Sequence, residues 1–158
     1  MLLYNRRIFL GGLLALGGCG FTPAFGPNSA AAGLRGRVMI DAPDTRDGFE
    51  FVKAMQRNFG VTETAEYRLT YTLTKVEDST VVSVAQELQR FAIEGRVQFT
   101  LQTLGGQTVV TGENRAFTSY SATGSTLATD RSQRDAEDRL MVILADQVMT
   151  DIIAGLNQ

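Results

Sequence analysis

Three segments in the middle of the chain alternate apolar and polar residues, and this period of two constrains the fold most strongly. The segments run from Tyr67 to Thr74, from Phe91 to Leu101 and from Thr108 to Tyr120, and Gly105-Gly106 joins the last two as a hairpin. The third segment changes phase near Gly112, which predicts a β-bulge there. Because alternate side chains point to opposite faces of a strand, we expect a sheet that is covered on its apolar face only.

Helical spacing begins on the N-terminal side of these strands. A first short strand is predicted within Leu34–Ile40. Apolar residues then recur at helical spacing through residues 45–59, and Gly60 follows as a C-terminal stop. Asp44 and Asp47 have the spacing of a capping-box variant, which predicts the start of this helix.

A second, longer helix is predicted from Ser125 to the end of the chain. Its apolar face contains Leu140, Ile143, Leu144, Val148 and Ile152, and Met141, Ala145, Met149 and Leu156 widen that face. The predicted order is β-α-β-β-β-α. The predicted fold class is therefore α+β, a two-layer sandwich in which two helices pack on one face of a four-stranded, mostly antiparallel sheet.

The N-terminal region has the features of a lipoprotein signal peptide. Arg6-Arg7 precede a short apolar run, and Leu16-Gly17-Gly18-Cys19 forms a lipobox. We therefore expect residues 1–18 to be a signal peptide that is removed, and Cys19 to be the acylated first residue of the mature chain. The apolar run is about nine residues, well short of the ~20 that a spanning helix needs.

The small and turn-forming residues 19–33 predict a flexible tether between the lipid and a single domain at residues 34–158. The arginine pair fits the general secretory route, and it also fits a twin-arginine signal. Gly20 follows the cysteine, where known Gram-negative lipoproteins retained in the inner membrane carry Asp. By resemblance to those lipoproteins, we expect an address at the outer membrane, on the periplasmic side.

Composition excludes several functional classes. Removing Arg6 and Arg7 leaves 13 of the 15 basic residues against 17 acidic ones, a net charge of −4 that argues against nucleic-acid binding. The chain has no histidine and a single cysteine, so a metal site would depend on carboxylates alone. No paired nucleophile and base and no phosphate-binding loop are evident, so we expect neither a cofactor nor an enzyme.

The chain resembles the alphaproteobacterial lipopolysaccharide-assembly lipoproteins, the LptE family. The resemblance begins at Cys19-Gly20-Phe21-Thr22-Pro23-Ala24-Phe25-Gly26, includes the strand Arg96-Val97-Gln98-Phe99-Thr100-Leu101, and extends through Leu127-Ala128 into the last helix. It implies an outer-membrane lipoprotein that plugs and helps to assemble the lipopolysaccharide-assembly β-barrel and that binds lipopolysaccharide. The implied partners are that barrel, lipopolysaccharide and the outer membrane itself.

Two other functions remain open. An accessory lipoprotein of a different envelope machine, such as a β-barrel insertion or transport complex, would have the same signal and a different partner. A lipid-anchored hydrolase would need an acid–base pair, and scattered carboxylates such as Glu94 and Glu113 are more typical of an exposed strand face.

The candidate lipopolysaccharide-binding residues are Arg90, Arg96 and Arg115. Arg96 and Arg115 lie on neighbouring predicted strands, and Arg90 precedes the strand of Arg96. Arg96 shares its parity with Gln98 and Thr100, which predicts that it projects from the polar face. We expect the arginines to bind phosphates, while Phe91 and Phe117 lie near the acyl chains. Some relatives carry a basic residue near the start of the last helix, where this chain has Thr129, so no second basic position follows from the family.

Overall fold

The computed structural model describes residues 30–80, 89–122 and 125–156. Cys19, the predicted signal peptide and most of the predicted tether lie outside these residues. The elements are α1 (Ala30–Leu34), β1 (Val38–Ile40), α2 (Arg46–Phe59), β2 (Tyr67–Thr80), β3 (Gln89–Thr103), β4 (Thr108–Ala122) and α3 (Thr126–Leu156).

The four strands form one sheet in the order β1-β2-β3-β4. β1 lies parallel to β2, with Val38 opposite Tyr67, whereas the two later pairs are antiparallel. The predicted class, an α+β sandwich on a mostly antiparallel sheet, is confirmed. The short helix α1 was not predicted. It covers the last residues of the predicted tether, and Leu34 at its end is buried, so the predicted first strand shortens to Val38–Ile40.

The helices cover one face of the sheet, and the core lies between the two layers. α3 packs along β3 and β4, while α2 packs beside α3 and places Phe51 against Tyr71 of β2, with the rings tilted by 44° and their centroids 4.9 Å apart. The largest fully buried side chains come from both layers: Phe51, Met55 and Phe59 of α2, Leu69, Ile93, Val97 and Leu101 of the sheet, and Leu140, Met141, Leu144 and Ile152 of α3.

A glycine sets how closely α3 approaches the sheet. Gly95 lies in the centre of β3, and a Cβ atom there would come within 2.9 Å of Leu140 Cδ2 and 3.1 Å of Leu144 Cδ1. Real side chains do not approach this closely, so the absent side chain lets the helix lie directly on the strand. Ile143, which its spacing predicts on the same apolar face, is instead 39% exposed and lies on the outer side of the helix.

The ends of α2 show one wrong prediction and one correct one. The N-cap is Thr45, whose hydroxyl accepts a hydrogen bond from the Gly48 N–H at 3.0 Å, and not the predicted pair of Asp44 and Asp47. At the other end, Gly60 has φ 78° and donates its N–H to Gln56, as the sequence predicts for a C-terminal stop.

The bulge also lies elsewhere than predicted. Leu101 is opposite Val110 and Gln102 is opposite Thr108, so Val109 is the extra residue, close to the hairpin. Gly112 keeps the regular register and lies opposite Phe99. A Cβ atom at Gly112 would come within 2.8 Å of that ring, which accounts for a glycine at this position without a bulge.

Beyond its apolar residues, the covered face of β2 carries charged side chains that form ion pairs and hydrogen bonds with neighbouring elements. Lys75 contacts Asp47 of α2 at 2.8 Å and Glu137 of α3 at 2.9 Å, so one strand position connects both helices. Burial lowers the pKa of Lys75, but the hydrogen bonds to the two carboxylates outweigh burial and leave the pKa raised. Further along, Glu77 accepts hydrogen bonds from Tyr120 and Gln133.

Candidate functional site on the open face of the sheet

The face of the sheet opposite the helices is the open face, and its rows follow from the strand register. Thr74, Arg96 and Arg115 are aligned across β2, β3 and β4, and the next row contains Val76, Glu94 and Phe117. Side chains in adjacent strands of one row lie about 5 Å apart. The register therefore places Arg115 two residues from Phe117 along β4 and Val76 diagonally across from Arg96, with Glu94 between the two apolar side chains.

The apolar side chains of this row are among the most exposed large apolar side chains of the described residues. Phe117 is 79% exposed and Val76 is 66% exposed. Together with Ala92, Glu94 and Arg115 they line a shallow depression. Exposed apolar side chains beside cations are what a ligand with acyl chains and phosphates requires.

Arg96 and Arg115 project from the open face, as predicted for Arg96, but both are engaged by one carboxylate. Arg115 donates to Glu113 Oε1 through Nε at 3.0 Å and through a terminal nitrogen at 2.8 Å. Arg96 Nε lies 3.6 Å from the same oxygen. Gln98 donates to the other oxygen, Glu113 Oε2, at 2.9 Å. The hydrogen bonds from Gln98 and Arg115, with the charges of Arg96 and Arg115, hold the pKa of Glu113 below its ordinary value.

The structure separates Arg90 from this pair. Arg90 is exposed on the same face, with Thr80 and Ser121 as its register neighbours. Six residues along a strand separate it from Arg96, which is roughly 20 Å at 3.3 Å per residue. The three predicted binding residues thus divide into one adjacent pair and one distant arginine.

Phe91 lies on the other side of the sheet from the arginines. It stacks on Tyr120 with a ring-centroid distance of 5.2 Å and packs against the core. The expectation that Phe91 lies with Phe117 near an acyl chain is wrong, because residues 91 and 96 have opposite parity on one strand. The apolar side chain that shares a row with Phe117 is Val76, two strands away across Glu94.

Sequence reasoning missed Glu113 as a member of the site. Its position two residues before Arg115 on one strand was a usable signal, since residues i and i+2 share a face. Glu94, the other carboxylate considered, has no ion pair within the described part of the chain, and it lies opposite Phe117 and not opposite Glu113. The described residues contain no group of three or more potential metal ligands. None of their helices is both long enough and apolar enough to cross a membrane.

Comparison with known proteins gives one family and several related folds. The model of the family LptE, lipopolysaccharide-assembly, matches residues 36–152. No curated protein matches the sequence significantly.

Three solved structures have similar folds. A protein of Caulobacter crescentus CB15 named as a lipoprotein superposes with a TM-score of 0.66 at 18% identity, over 80% of this chain and 95% of that one. A minor lipoprotein of Acinetobacter baumannii gives a TM-score of 0.55 at 12% identity, over 75% and 92%. Rare lipoprotein B of Shewanella oneidensis gives 0.54 at 12%, over 77% and 98%. At these identities the likeness concerns the fold.

Proposed function

The chain belongs to the LptE lipopolysaccharide-assembly family, and from this membership we propose that it binds lipopolysaccharide while plugging and helping to assemble an outer-membrane β-barrel. Membership supports a role in lipopolysaccharide assembly. The proposal adds the ligand, the barrel partner and an outer-membrane anchor at Cys19. No chemical step is part of this function.

The observation that supports ligand binding is that Arg96 and Arg115 lie in one row of the open face and that Phe117 and Val76 lie in the next row. Lipopolysaccharide presents phosphates next to acyl chains. Guanidinium groups bind phosphate oxygens with paired, charge-assisted hydrogen bonds, and the two apolar side chains lose exposed area when an acyl chain covers them. Both requirements are met within two neighbouring rows of one sheet.

The site lies at the end of the sheet remote from the N-terminal entry of the chain. β1 follows α1 and pairs with β2 at Tyr67, nine residues before Val76. At 3.3 Å per residue, this separation is roughly 30 Å. With an anchor at Cys19, the ligand would therefore meet the domain at the end that lies away from the point of attachment.

Arg96→Ala and Arg115→Ala are each expected to weaken binding of purified lipopolysaccharide by about tenfold. A hydrogen bond between charged groups contributes about 1.5–3 kcal/mol, and 1.4 kcal/mol corresponds to a factor of ten in affinity. Isothermal titration with variants that keep the circular dichroism spectrum of the wild type measures this effect. Because both side chains are exposed on a strand face, folding is expected to be unaffected.

Arg90→Ala is the matched control. It removes the same charge from the same strand and face, roughly 20 Å from the pair. We expect a loss below about threefold, since only general attraction is reduced. Equal losses at all three positions would indicate attraction by the whole face, and wild-type affinity for Arg96→Ala and Arg115→Ala would contradict the proposed site.

Membership of the family supports the barrel partner. Phe49 of α2 and Ile143 of α3 lie on the outer side of the helical layer, and Val61 and Leu104 lie near the hairpin end of the sheet. Single exposed apolar residues are ordinary on a protein surface, so these four mark positions that a surrounding barrel would cover and are not themselves evidence for it.

The domain is expected to recognise the barrel without its lipid. When the N-terminal residues are replaced by a secretory signal that lacks a lipobox, the exported domain should still co-purify with a co-expressed lipopolysaccharide-assembly barrel. The reason is that the lipid supplies location, while the folded surface supplies the contacts. An unrelated outer-membrane barrel serves as the control, and failure to co-purify with the assembly barrel would refute this part of the proposal.

A further inference from the structure

Two like charges stand directly opposite each other at the centre of the candidate site. Arg96 and Arg115 are register partners on neighbouring antiparallel strands, an arrangement that by itself is destabilising. The carboxylate of Glu113 offsets this repulsion, because its Oε1 lies 2.8 Å from Arg115 and 3.6 Å from Arg96. The side chain of Glu113 therefore occupies the position in which an external anion would bind both guanidinium groups.

Glu113 is held in this position by more than charge. Gln98 donates to its second oxygen, so both carboxylate oxygens have partners. The same hydrogen bonds lower the pKa of Glu113 further below neutrality, so the ionised carboxylate is the form that the two arginines hold. Its side chain is nonetheless one-third exposed, at 32%, and it has rotatable bonds through which it can leave the pair.

We propose that Glu113 is an internal competitor at this anion site: its carboxylate occupies Arg96 and Arg115, and a phosphate binds there only by displacing it. This inference rests on the proposed function, and it concerns how tightly the site holds a phosphate.

A phosphate monoester displaces the carboxylate more readily than a diester does. The monoester carries about −1.5 to −2 charge near pH 7 and three strong acceptor oxygens, whereas a carboxylate carries one charge and two oxygens. A phosphate diester also carries one charge. Because the displacement of Glu113 costs every ligand the same free energy, removal of the carboxylate should strengthen the binding of both phosphates by the same factor.

The test compares glycerol phosphate, a monoester, with dimethyl phosphate, a diester, in titrations of the purified full chain. The arginine Nε–H signals in nuclear magnetic resonance spectra report weak binding at the guanidinium groups. We expect the wild type to prefer the monoester by about tenfold, which corresponds to about 1.4 kcal/mol. In Glu113→Gln both ligands should bind about tenfold more tightly, because neither has to displace a carboxylate, and the preference should stay near tenfold. Gln retains the shape of the side chain and an acceptor oxygen for Arg115.

Glu63→Gln is the control for net charge. It removes one negative charge from an exposed side chain whose backbone N–H donates to Gly36, near the start of β1 and away from the arginine pair. This variant is expected to keep the wild-type affinities for both phosphates. An equal change in Glu63→Gln would overturn the specific role of Glu113, because both variants would then act only through net charge.

The outcomes separate this inference from the function on which it rests. Unchanged affinities in Glu113→Gln, or no titration of either phosphate in that variant, would overturn the role of Glu113. If Arg96→Ala and Arg115→Ala still weaken lipopolysaccharide binding in that case, the proposed function survives. If those two variants bind lipopolysaccharide like the wild type, the proposed binding site is refuted, whatever the result for Glu113→Gln.

Discussion

Replacing Leu144 by Asp is expected to lower the free energy of unfolding by about 3 kcal/mol or more, out of roughly 5–10 kcal/mol for a domain of this size. Leu144 is fully buried in the middle of α3, and its Cδ1 lies against Gly95 of β3. No polar or charged residue is buried among the described residues, so the new carboxylate would find no partner in the core. Thermal unfolding followed by circular dichroism should show a midpoint lower by about 10 °C or more.

Ile143→Asp provides the matched control for this change. It introduces the same charge one position earlier on the same helix, at a side chain that is 39% exposed on the outer side. We expect a loss of about 1 kcal/mol or less. Val148→Asp, which is also fully buried, should behave like Leu144→Asp. A wild-type midpoint for Leu144→Asp would mean that the opposite face of α3 forms the core.

The strands and their faces could be predicted from sequence because alternation is a local property. The buried residues Leu69, Val97 and Leu101 alternate with polar neighbours along their strands. A shift of one residue in strand register would move all three to the solvent-exposed face. The extension of β2 to Thr80 could not be predicted in this way. Lys75 and Glu77 break the apolar pattern on the covered face, and they are tolerated there only because side chains on α2, α3 and β4 pair with them.

The details that were missed depend on contacts between distant parts of the chain. Asp44 and Thr45 are both good N-cap residues by type. Thr45 caps the helix, while Asp47 forms an ion pair with Lys75, which lies 28 positions later in the sequence. The bulge at Val109 likewise depends on the register with β3, and two adjacent valines in the sequence do not reveal which of them is the extra residue.

The candidate site was predictable in part. The parity of Arg96 placed it on the open face, and the hairpin placed Arg115 on the neighbouring strand. The same parity, applied to Phe91, would have assigned it to the core. The spacing of Arg90, six residues before Arg96, would likewise have separated it from the pair. The pairing of Glu113 with both arginines could not be predicted from the sequence, because it depends on the register of β3 against β4.

Cys19→Ser is expected to abolish membrane anchoring, the most complete effect that we predict for any single change. The side-chain thiol is the atom that receives the diacylglyceryl group in a lipobox, and a serine hydroxyl does not replace it. Processing depends on that modification, so an uncleaved precursor that retains residues 1–18 should accumulate. The apolar run of about nine residues is too short for a stable spanning helix. Mass spectrometry of the wild-type protein should find a mature chain that begins at an acylated Cys19.

Gly18→Ala tests the lipobox without removing the thiol. A small residue is preserved before Cys19, so lipid attachment and cleavage should continue, and the mature chain should have the mass of the wild type. An unmodified peptide that spans residues 16–22 in the mature wild-type protein would refute the anchor altogether. Because two or three acyl chains bind a membrane stably where one chain does not, loss of the single cysteine removes the whole attachment and leaves only the contacts of the folded domain. Cys19→Ser thus separates location from recognition: the folded domain should keep its affinity for lipopolysaccharide while losing its place at the membrane.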